Sequence, residues 1–295
     1  MDLTTTFAGT REKYRGKVGL LPTLGYFHEG HLALMDLLRE RCDTLVVSLF
    51  VNPTQFGDEA DFAAYPRDTE RDARLAEGQS VDILFAPELE EVYPVGQTTI
   101  VEVGGVSQEM EGRYRPGHFR GVATVVAKLF AGVQPDIALF GRKDAQQLAV
   151  LRAMVRDLRF PVSIIDAPLI REPDGFALSS RNVRLDPRAR ERALVLSRGL
   201  FQAAEQADAG ERRAERLEAT ARRAMKGLEV DYATLASQDT MEPMAQLDRP
   251  AVLAVAAHVA GVRLIDNIAF DWRDGKLMPD RGLILSEPSR LGTLP

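Results

Sequence analysis

Two histidines in the sequence His-Glu-Gly-His, His28 and His31, are the residues best suited to chemistry. They follow an apolar run at residues 18–21 and open a segment with helical periodicity. A strand-to-helix turn points backbone N–H groups and the positive end of the helix dipole at a ligand, and such a site attracts phosphate. A protonated imidazole there can stabilise charge on a pentacovalent phosphorus or a departing pyrophosphate. The spacing therefore favours phosphate chemistry over two ordinary histidines, and zinc is disfavoured because no suitable third ligand is evident nearby.

The segment at residues 141–147 follows another predicted strand and contains Lys143. The carboxyl ends of parallel strands meet at one edge of the sheet, so Lys143 could reach the same phosphate as the histidines. Asp144 is a plausible helix N-cap. Gln147 lies one turn into the helix, where an amide can bind a hydroxyl or a carboxylate.

Two loop segments carry further candidates. Ser179, Ser180 and Arg181 offer two hydroxyls and a guanidinium that could clamp a triphosphate, although an ordinary polar turn would have the same sequence. Gln55 follows the turn signal Asn52-Pro53 and is framed by aromatic residues. Its amide suits a small acid that bears methyl groups and hydroxyls, whereas a solvated loop amide is the alternative.

Apolar, β-branched runs without period-two alternation alternate with amphipathic segments over the first 170 residues or so. Such runs are typical of strands buried on both faces of a parallel sheet. We therefore predict an α/β fold: a Rossmann-like doubly wound parallel sheet in residues 1–175 and a second, smaller α+β C-terminal domain in residues 176–295. The predicted strands are 18–21, 44–51, 81–85, 98–103, 136–140, 162–166, 231–236, 251–258 and 262–270, and the predicted helices are 30–41, 68–77, 122–133, 144–158, 187–207 and 211–226.

The bulk composition excludes several classes of partner. The chain has 295 residues, of which 45% are hydrophobic, and its formal net charge of -6 disfavours nucleic acid. No stretch approaches the roughly 18 apolar residues that span a bilayer, and the N-terminus lacks the apolar centre of a signal peptide. We therefore expect a cytoplasmic protein that binds small molecules rather than nucleic acid or membrane. The single cysteine, Cys42, cannot form an internal disulfide and is predicted to be structural.

Taken together, these segments resemble the pantoate-β-alanine ligase (pantothenate synthetase) family of the nucleotidylyltransferase superfamily over essentially the whole chain. H-x-G-H alone would indicate only the superfamily. The specific resemblance rests on FVNPTQF at 50–56, YPR at 65–67, RPGHFRGV at 115–122, GRKDAQQL at 141–148, REPDG at 171–175, LSSRN at 178–182 and RLIDN at 263–267.

The resemblance implies a two-step reaction. ATP and (R)-pantoate give pantoyl-adenylate and pyrophosphate, and β-alanine then attacks to give pantothenate and AMP, on the route to coenzyme A. Mg²⁺ accompanies the ATP, and the family implies a homodimer. His31 corresponds to the proton donor, with His28 and Lys143 as its catalytic partners, and Gln55 and Gln147 correspond to the residues that bind pantoate, Gln55 also contacting β-alanine. The implied ATP contacts are Leu24, Gly25, Tyr26, Phe27, His28, Glu29, Gly30, His31, Gly141, Arg142, Lys143, Asp144, Ile170, Leu178, Ser179, Ser180 and Arg181.

A few positions depart from the family pattern, which commonly has Met at Leu24, Ala-Leu at Tyr26-Phe27 and Glu at Arg142. None removes a reacting group, and Arg142 is expected to add a positive charge beside the phosphates. His118 is interpreted as local structure or interface.

Three alternative functions remain to be weighed against this resemblance. A nucleotidylyltransferase that stops after transfer of AMP or CMP would not need an acid pocket, a silent nucleotide-binding regulator would be expected to have lost a reacting group, and an aminoacyl-tRNA synthetase fragment fits poorly with the acidic charge.

Overall fold

A computed structural model describes residues 1–57 and 59–291 of the chain. Its strands, numbered in chain order, are β1 (Asp2–Thr4), β2 (Val18–Thr23), β3 (Thr44–Leu49), β4 (Ile83–Phe85), β5 (Ile137–Gly141), β6 (Ser163–Ala167), β7 (Ile170–Arg171), β8 (Glu229–Ser237), β9 (Ala251–Val259), β10 (Val262–Arg273), β11 (Lys276–Asp280) and β12 (Leu283–Ile284).

The α-helices are numbered in the same way, and short 3-10 turns separate some of them. None of these helices is long and apolar enough to cross a membrane. They are α1 (Phe7–Arg11), α2 (Glu29–Arg39), α3 (Glu59–Ala63), α4 (Thr69–Gly78), α5 (Leu89–Val92), α6 (Glu111–Tyr114), α7 (His118–Val133), α8 (Ala145–Leu158), α9 (Pro187–Ala193), α10 (Val195–Asp208) and α11 (Ala214–Ala224), with 3-10 turns at Pro53–Gln55, Arg142–Asp144 and Ser180–Arg184.

Strands β1 to β6 form a parallel sheet in the order β1-β4-β3-β2-β5-β6. Successive side chains of a strand point to opposite faces, and Leu20 and Leu21 of β2 are both almost fully buried, so this sheet is covered on both faces. The predicted Rossmann-like doubly wound sheet is confirmed. Because β3 and β5 flank β2, the strand order reverses at β2, and the crevice beyond the carboxyl ends of β2 and β5 is the switch point where such sheets bind ligands.

Helix α2 covers the middle of this sheet. Its residues Met35 and Leu38 are fully buried and pack in one cluster with Leu45 and Val47 of β3. Burial of each such side chain contributes about 1.5–3 kcal/mol relative to exposure. The start of α2, where the histidines lie, is therefore anchored to the sheet by the apolar face of the same helix.

The second sheet is antiparallel, in the order β11-β10-β9-β8. Helices α10 and α11 pack against it, and Leu200 and Leu217 share a core cluster with Leu253 and Phe270. Helices beside an antiparallel sheet form the α+β arrangement that the sequence predicts.

The chain divides into two compact units. The first comprises residues 1–104, 115–141 and 150–167, and the second comprises 105–114, 142–149 and the chain from 168 onward. Two early segments join the second unit through polar contacts: the Glu111 carboxylate accepts hydrogen bonds from Arg263 at 2.7 Å, and Gln146 Oε1 accepts the Glu111 N–H at 2.9 Å. The division predicted from sequence, 1–175 and 176–295, has a single boundary and remains a prediction about independently folding domains.

Two predicted elements are wrong. Residues 98–103 form no strand, because the backbone N–H and carbonyl of Val101 bind the hydroxyl of Thr124 instead of a neighbouring strand. The helix predicted at 187–207 is two helices that meet at Leu194. There the N–H of Leu194 bonds three residues back to Glu191, which ends the regular four-residue ladder of α9.

Candidate active site

The turn after β2 adopts a conformation that few residues tolerate. Gly25 has φ +84° and Tyr26 has φ +54°, both in the left-handed region. A Cβ at Gly25 would lie 2.5 Å from Leu49 Cδ1 and 3.0 Å from Asp72 Oδ2, so the close approach also requires glycine. The sequence Leu24-Gly25-Tyr26 therefore fixes the path by which the chain reaches the histidines.

Asp72, a buried carboxylate on α4, holds this turn. Its Oδ2 accepts the N–H of Tyr26 at 2.6 Å and its Oδ1 accepts the N–H of Phe27 at 2.8 Å. Burial raises the pKa of Asp72, and the two N–H groups, together with the neighbouring Arg71, oppose that rise. Arg71 also lies over the ring of Tyr26, 4.8 Å from its centroid.

The two histidines cap α2 by a reciprocal pair of hydrogen bonds. His28 is the N-cap, and its Nδ1 accepts the N–H of Gly30 at 3.1 Å, while Nδ1 of His31 accepts the N–H of His28 at 3.3 Å. Because a backbone N–H can only donate, each Nδ1 must be unprotonated, and the proton of each neutral ring lies on Nε2. The ring centroids are 4.2 Å apart. The local sequence thus sets both the tautomer and the spacing of the two imidazoles.

This geometry corrects one part of the sequence interpretation. The turn was expected to point free backbone N–H groups at a phosphate, but side chains of the protein accept the N–H groups of Tyr26, Phe27, His28 and Gly30. These four backbone amides are therefore engaged within the protein itself.

Gln55 lies in a 3-10 turn whose orientation is set by Asn52. The buried Asn52 Oδ1 accepts the N–H of Thr54 at 3.3 Å and the hydroxyl of Tyr93 at 2.8 Å. Its Nδ2 donates to the carbonyl of Gly121 at 3.3 Å and to Oε1 of Gln55 at 3.0 Å. With Oε1 engaged as an acceptor, the Gln55 side chain presents its Nε2 as a hydrogen-bond donor.

Lys143 lies in the 3-10 turn after β5, in the second unit. The amide Nδ2 of Asn267 donates to the carbonyls of Arg142 at 3.0 Å and Lys143 at 2.9 Å. Lys143 Nζ lies 3.6 Å from Asp144 Oδ1, and about a fifth of the lysine side chain is exposed. Asp144 thus belongs to the 3-10 turn and pairs with the lysine. Gln147 lies half-buried in the first turn of α8.

Arg142, which was expected to add a positive charge beside the phosphates, is engaged in two ion pairs. Its Nη1 lies 2.8 Å from Asp271 Oδ2 and 2.8 Å from Asp280 Oδ2, so two carboxylates offset its charge. The expected positive charge beside the phosphates therefore stays a prediction. A contact of Arg142 with ATP remains a prediction.

The remaining ATP candidates lie in a hairpin-like segment of the second unit. The N–H of Leu178 donates to the carbonyl of Ile170 at 3.0 Å, which brings these two predicted contacts together. Ser179 is the cap of the next 3-10 turn, and its Oγ accepts the N–H of Arg181 at 3.2 Å. Ser180 is buried. The predicted clamp is thus a capped turn, and its contact with a triphosphate stays a prediction.

Sequence reasoning missed Asp72, Asn267 and Arg171 as supports of these segments. Arg171 is fully buried in a bidentate pair with Asp266, at 2.8 and 2.9 Å, and Asp266 precedes Asn267 in the RLIDN segment. The polar Asp-Asn pair within an otherwise apolar strand was the available signal, since buried polar side chains need partners.

Two further histidines were assigned no chemistry. His118 is buried at the start of α7 and contacts the Gln55 turn, which agrees with a local structural role. His258 is half-buried on β9, with Nε2 3.4 Å from Asp231 Oδ1.

Within residues 1–57 and 59–291, no group of three or more His, Cys, Asp or Glu side chains is placed to hold a metal ion. The protein side chains of this part of the chain therefore supply no complete metal site of their own.

The fold and the histidine turn define a Rossmann-like α/β protein with a nucleotidylyltransferase-type H-x-G-H motif at its switch point. A family model described as pantoate-beta-alanine ligase matches residues 2–269. The chain belongs to this family.

Individual relatives agree. The chain is 51% identical to pantothenate synthetase 1 of Bradyrhizobium diazoefficiens over 258 residues, 87% of this chain and 91% of that protein. It is 48% identical to the pantothenate synthetase of Moorella thermoacetica over 287 residues, 93% of this chain and all of that protein.

Solved structures give the same picture. A pantothenate synthetase from Thermus thermophilus superposes with a TM-score of 0.87 at 45% identity and covers 90% of this chain and 98% of its own. A pantoate-beta-alanine ligase from Francisella tularensis, complexed with beta-gamma ATP and beta-alanine, superposes with a TM-score of 0.75 at 30% identity, covering 91% of this chain and 97% of its own.

Proposed function

We propose that this chain is an AMP-forming ligase that condenses (R)-pantoate with β-alanine at the expense of ATP, through a pantoyl-adenylate. Membership of the ligase family supports this reaction. The observation that carries the mechanism is the capped H-x-G-H turn, which fixes two imidazole Nε2–H donors at the carboxyl end of the central strand.

In the first step a pantoate carboxylate oxygen bonds to the α-phosphorus of ATP and the bond to pyrophosphate breaks. A carboxylate and a triphosphate repel each other, so donors must be in place before attack. His28 and His31 supply Nε2–H groups in a fixed geometry, and Lys143 supplies a cation. We assign the remaining sequence-derived ATP contacts to binding.

Gln55 and Gln147 are assigned to the acid. The Nε2 of Gln55 can donate to a carboxylate or hydroxyl oxygen of pantoate, because its Oε1 is engaged by Asn52. Orientation of the acid by a fixed donor brings the attacking oxygen to the phosphorus. In the second step the β-alanine amine attacks the acyl carbon and AMP leaves.

The histidine roles can be tested without loss of the helix cap. His28→Asn retains a preferred N-cap acceptor, and His31→Gln retains a residue type that completes a capping box, but neither has an imidazole. We expect each variant to keep its melting temperature and to lose on the order of 10²- to 10³-fold in pantoate-dependent exchange of pyrophosphate into ATP. Lys143→Ala should show a similar loss.

The control is His258→Gln, which changes a histidine on the antiparallel sheet and should leave exchange unchanged. Near wild-type exchange in His31→Gln would contradict the assigned role. Exchange restored in His31→Gln but lost in His31→Ala would show that the residue serves the cap alone.

Three further assignments are proposals with direct tests. Mg²⁺ is proposed to enter with ATP, since phosphates and water are its usual ligands, and titration of exchange activity with Mg²⁺ tests this. A homodimer is proposed from the family resemblance, and sedimentation equilibrium tests it. The cytoplasmic location remains a prediction for cell fractionation.

A further inference from the structure

Residues at the start of α7 contact the backbone of the turn that carries Gln55. Nδ1 of His118 lies 2.9 Å from the backbone carbonyl oxygen of Gln55, and Nη1 of Arg115 lies 3.2 Å from His118 Nε2. A guanidinium can only donate, so Nε2 of His118 must accept, and the ring proton lies on Nδ1. His118 therefore donates to the carbonyl of Gln55 as a neutral imidazole in one tautomer.

A second contact of the same helix lies one turn further along. A Cβ at Gly121 would lie 2.3 Å from the carbonyl oxygen of Thr54 and 2.7 Å from the N atom of Gln55. These are backbone atoms, so the clash could be relieved only by displacement of the turn relative to α7. His118 and Gly121, three residues apart, share one face of α7, and that face lies against the 3-10 turn Pro53–Gln55.

The same helix also controls the side chain of Gln55. The carbonyl of Gly121 accepts from Nδ2 of Asn52, and that amide also donates to Gln55 Oε1. The backbone of Gln55 is thus fixed by His118, and the direction of its amide is fixed by a residue whose own amide is held by Gly121.

We propose that Arg115, His118 and Gly121 form a positioning element for Gln55, which directs the Gln55 Nε2–H donors at a carboxylate or hydroxyl oxygen of the acid substrate. It rests on the proposed function in taking Gln55 as an acid-binding residue. None of these three residues is proposed to contact the substrate. Each acts by positioning Gln55. The element determines recognition of the acid and leaves recognition of ATP unaffected.

The test measures the KM values for pantoate and for ATP in pyrophosphate exchange, with kcat, for four variants. We expect His118→Ala to remove one hydrogen bond and thereby raise the KM for pantoate about tenfold. The KM for ATP should stay within about twofold of the wild-type value. His118→Asn, whose shorter amide can still donate to the Gln55 carbonyl, should recover part of the loss. Gly121→Ala should raise the KM for pantoate more than His118→Ala does. Arg120 is exposed on the same helix, and Arg120→Ala should have the KM values of the wild type.

A purely structural role predicts a different pattern, in which kcat falls in proportion to the folded fraction and both KM values are unchanged. That pattern would overturn the proposal. So would a KM for ATP that rises in parallel with the KM for pantoate.

Amide hydrogen exchange separates this proposal from the proposed function. His118→Ala and Gly121→Ala should accelerate exchange in the peptide at residues 52–57, whereas Arg120→Ala should not. No acceleration overturns the positioning element, whatever the activity. If the wild type shows no pantoate-dependent exchange of pyrophosphate, the proposed function fails, and the assignment of an acid to this element falls with it.

Discussion

Replacement of Asp72 by asparagine tests how the H-x-G-H turn is held. The carboxylate accepts the N–H groups of Tyr26 and Phe27 at 2.6 and 2.8 Å. An asparagine of the same shape can accept only one of them, because its NH₂ group faces the other. One charge-assisted hydrogen bond is therefore lost, and one N–H of a turn beside the sheet is left facing a donor.

The magnitude follows from two opposing effects. Loss of a hydrogen bond to a charged group costs about 1.5–3 kcal/mol, and an unsatisfied N–H adds to that loss. Relief of the desolvation that raises the pKa of Asp72 offsets part of it. We expect Asp72→Asn to lower the free energy of unfolding by about 1–3 kcal/mol, a fall of roughly 2–12 °C in melting temperature for a domain of this size.

Activity should fall as well, because the turn carries both imidazoles. A displacement of catalytic groups by about 1 Å costs on the order of 10²-fold in rate, so pantoate-dependent exchange should drop by roughly 10- to 100-fold. Glu70→Gln is the matched control, since it removes the same charge from an exposed position on the same helix and should change stability by less than about 0.5 kcal/mol. Wild-type stability and exchange in Asp72→Asn would refute the role of the carboxylate.

Three further predictions concern other parts of the chain. Asn267→Ala removes both hydrogen bonds to the carbonyls of Arg142 and Lys143 and should slow adenylate formation about tenfold or more, at a cost in stability of about 1–3 kcal/mol; wild-type ATP kinetics would contradict this. Burial raises the pKa of Glu218 above 4.5, so the folded protein retains that proton to a higher pH than the unfolded chain, and its contribution to the free energy of unfolding should fall as the pH rises through that window. Glu218→Gln can still accept the N–H of Leu235 and does not titrate, so the free energy of unfolding of the wild type should fall relative to that of the variant from about pH 4 to pH 7 in denaturant titrations, and a constant difference would be inconsistent with the raised pKa. Burial also raises the pKa of the Cys42 thiol, which donates to the carbonyl of Leu38 at 3.2 Å, so its reaction with a thiol reagent near neutral pH should be slower than that of glutathione, whereas an equal rate would refute this.

The sequence predicts those parts of the fold whose residues show a local pattern. The apolar runs of β2, β3 and β5 and the helical periodicity of α2 each identify an element, and their alternation identifies the parallel sheet. Strands that lack a local signal were missed. β1 has only three residues, and β11 contains Pro279, which weakens any strand prediction.

The candidate site, too, was predictable only where its residues lie close together in the sequence. The histidine pair was evident because its spacing is local, but its support was not: Asp72 is 46 positions from Tyr26, and Asn267 is 124 positions from Lys143. Such partners are brought together only by the packing of helices and strands. The N–H groups of Tyr26 and Phe27 are likewise engaged by a carboxylate from α4, which the local sequence does not reveal.

The most direct test of the proposed ligase activity is product analysis of the purified protein with ATP, Mg²⁺, (R)-pantoate and β-alanine, with each component omitted in turn. We expect AMP, pyrophosphate and pantothenate in equal amounts when all are present, and pantoate-dependent exchange of pyrophosphate into ATP when β-alanine is omitted. Nucleotidyl transfer to pantoate without release of AMP when β-alanine is present, or no pantoate-dependent product at all, would contradict the ligase reaction.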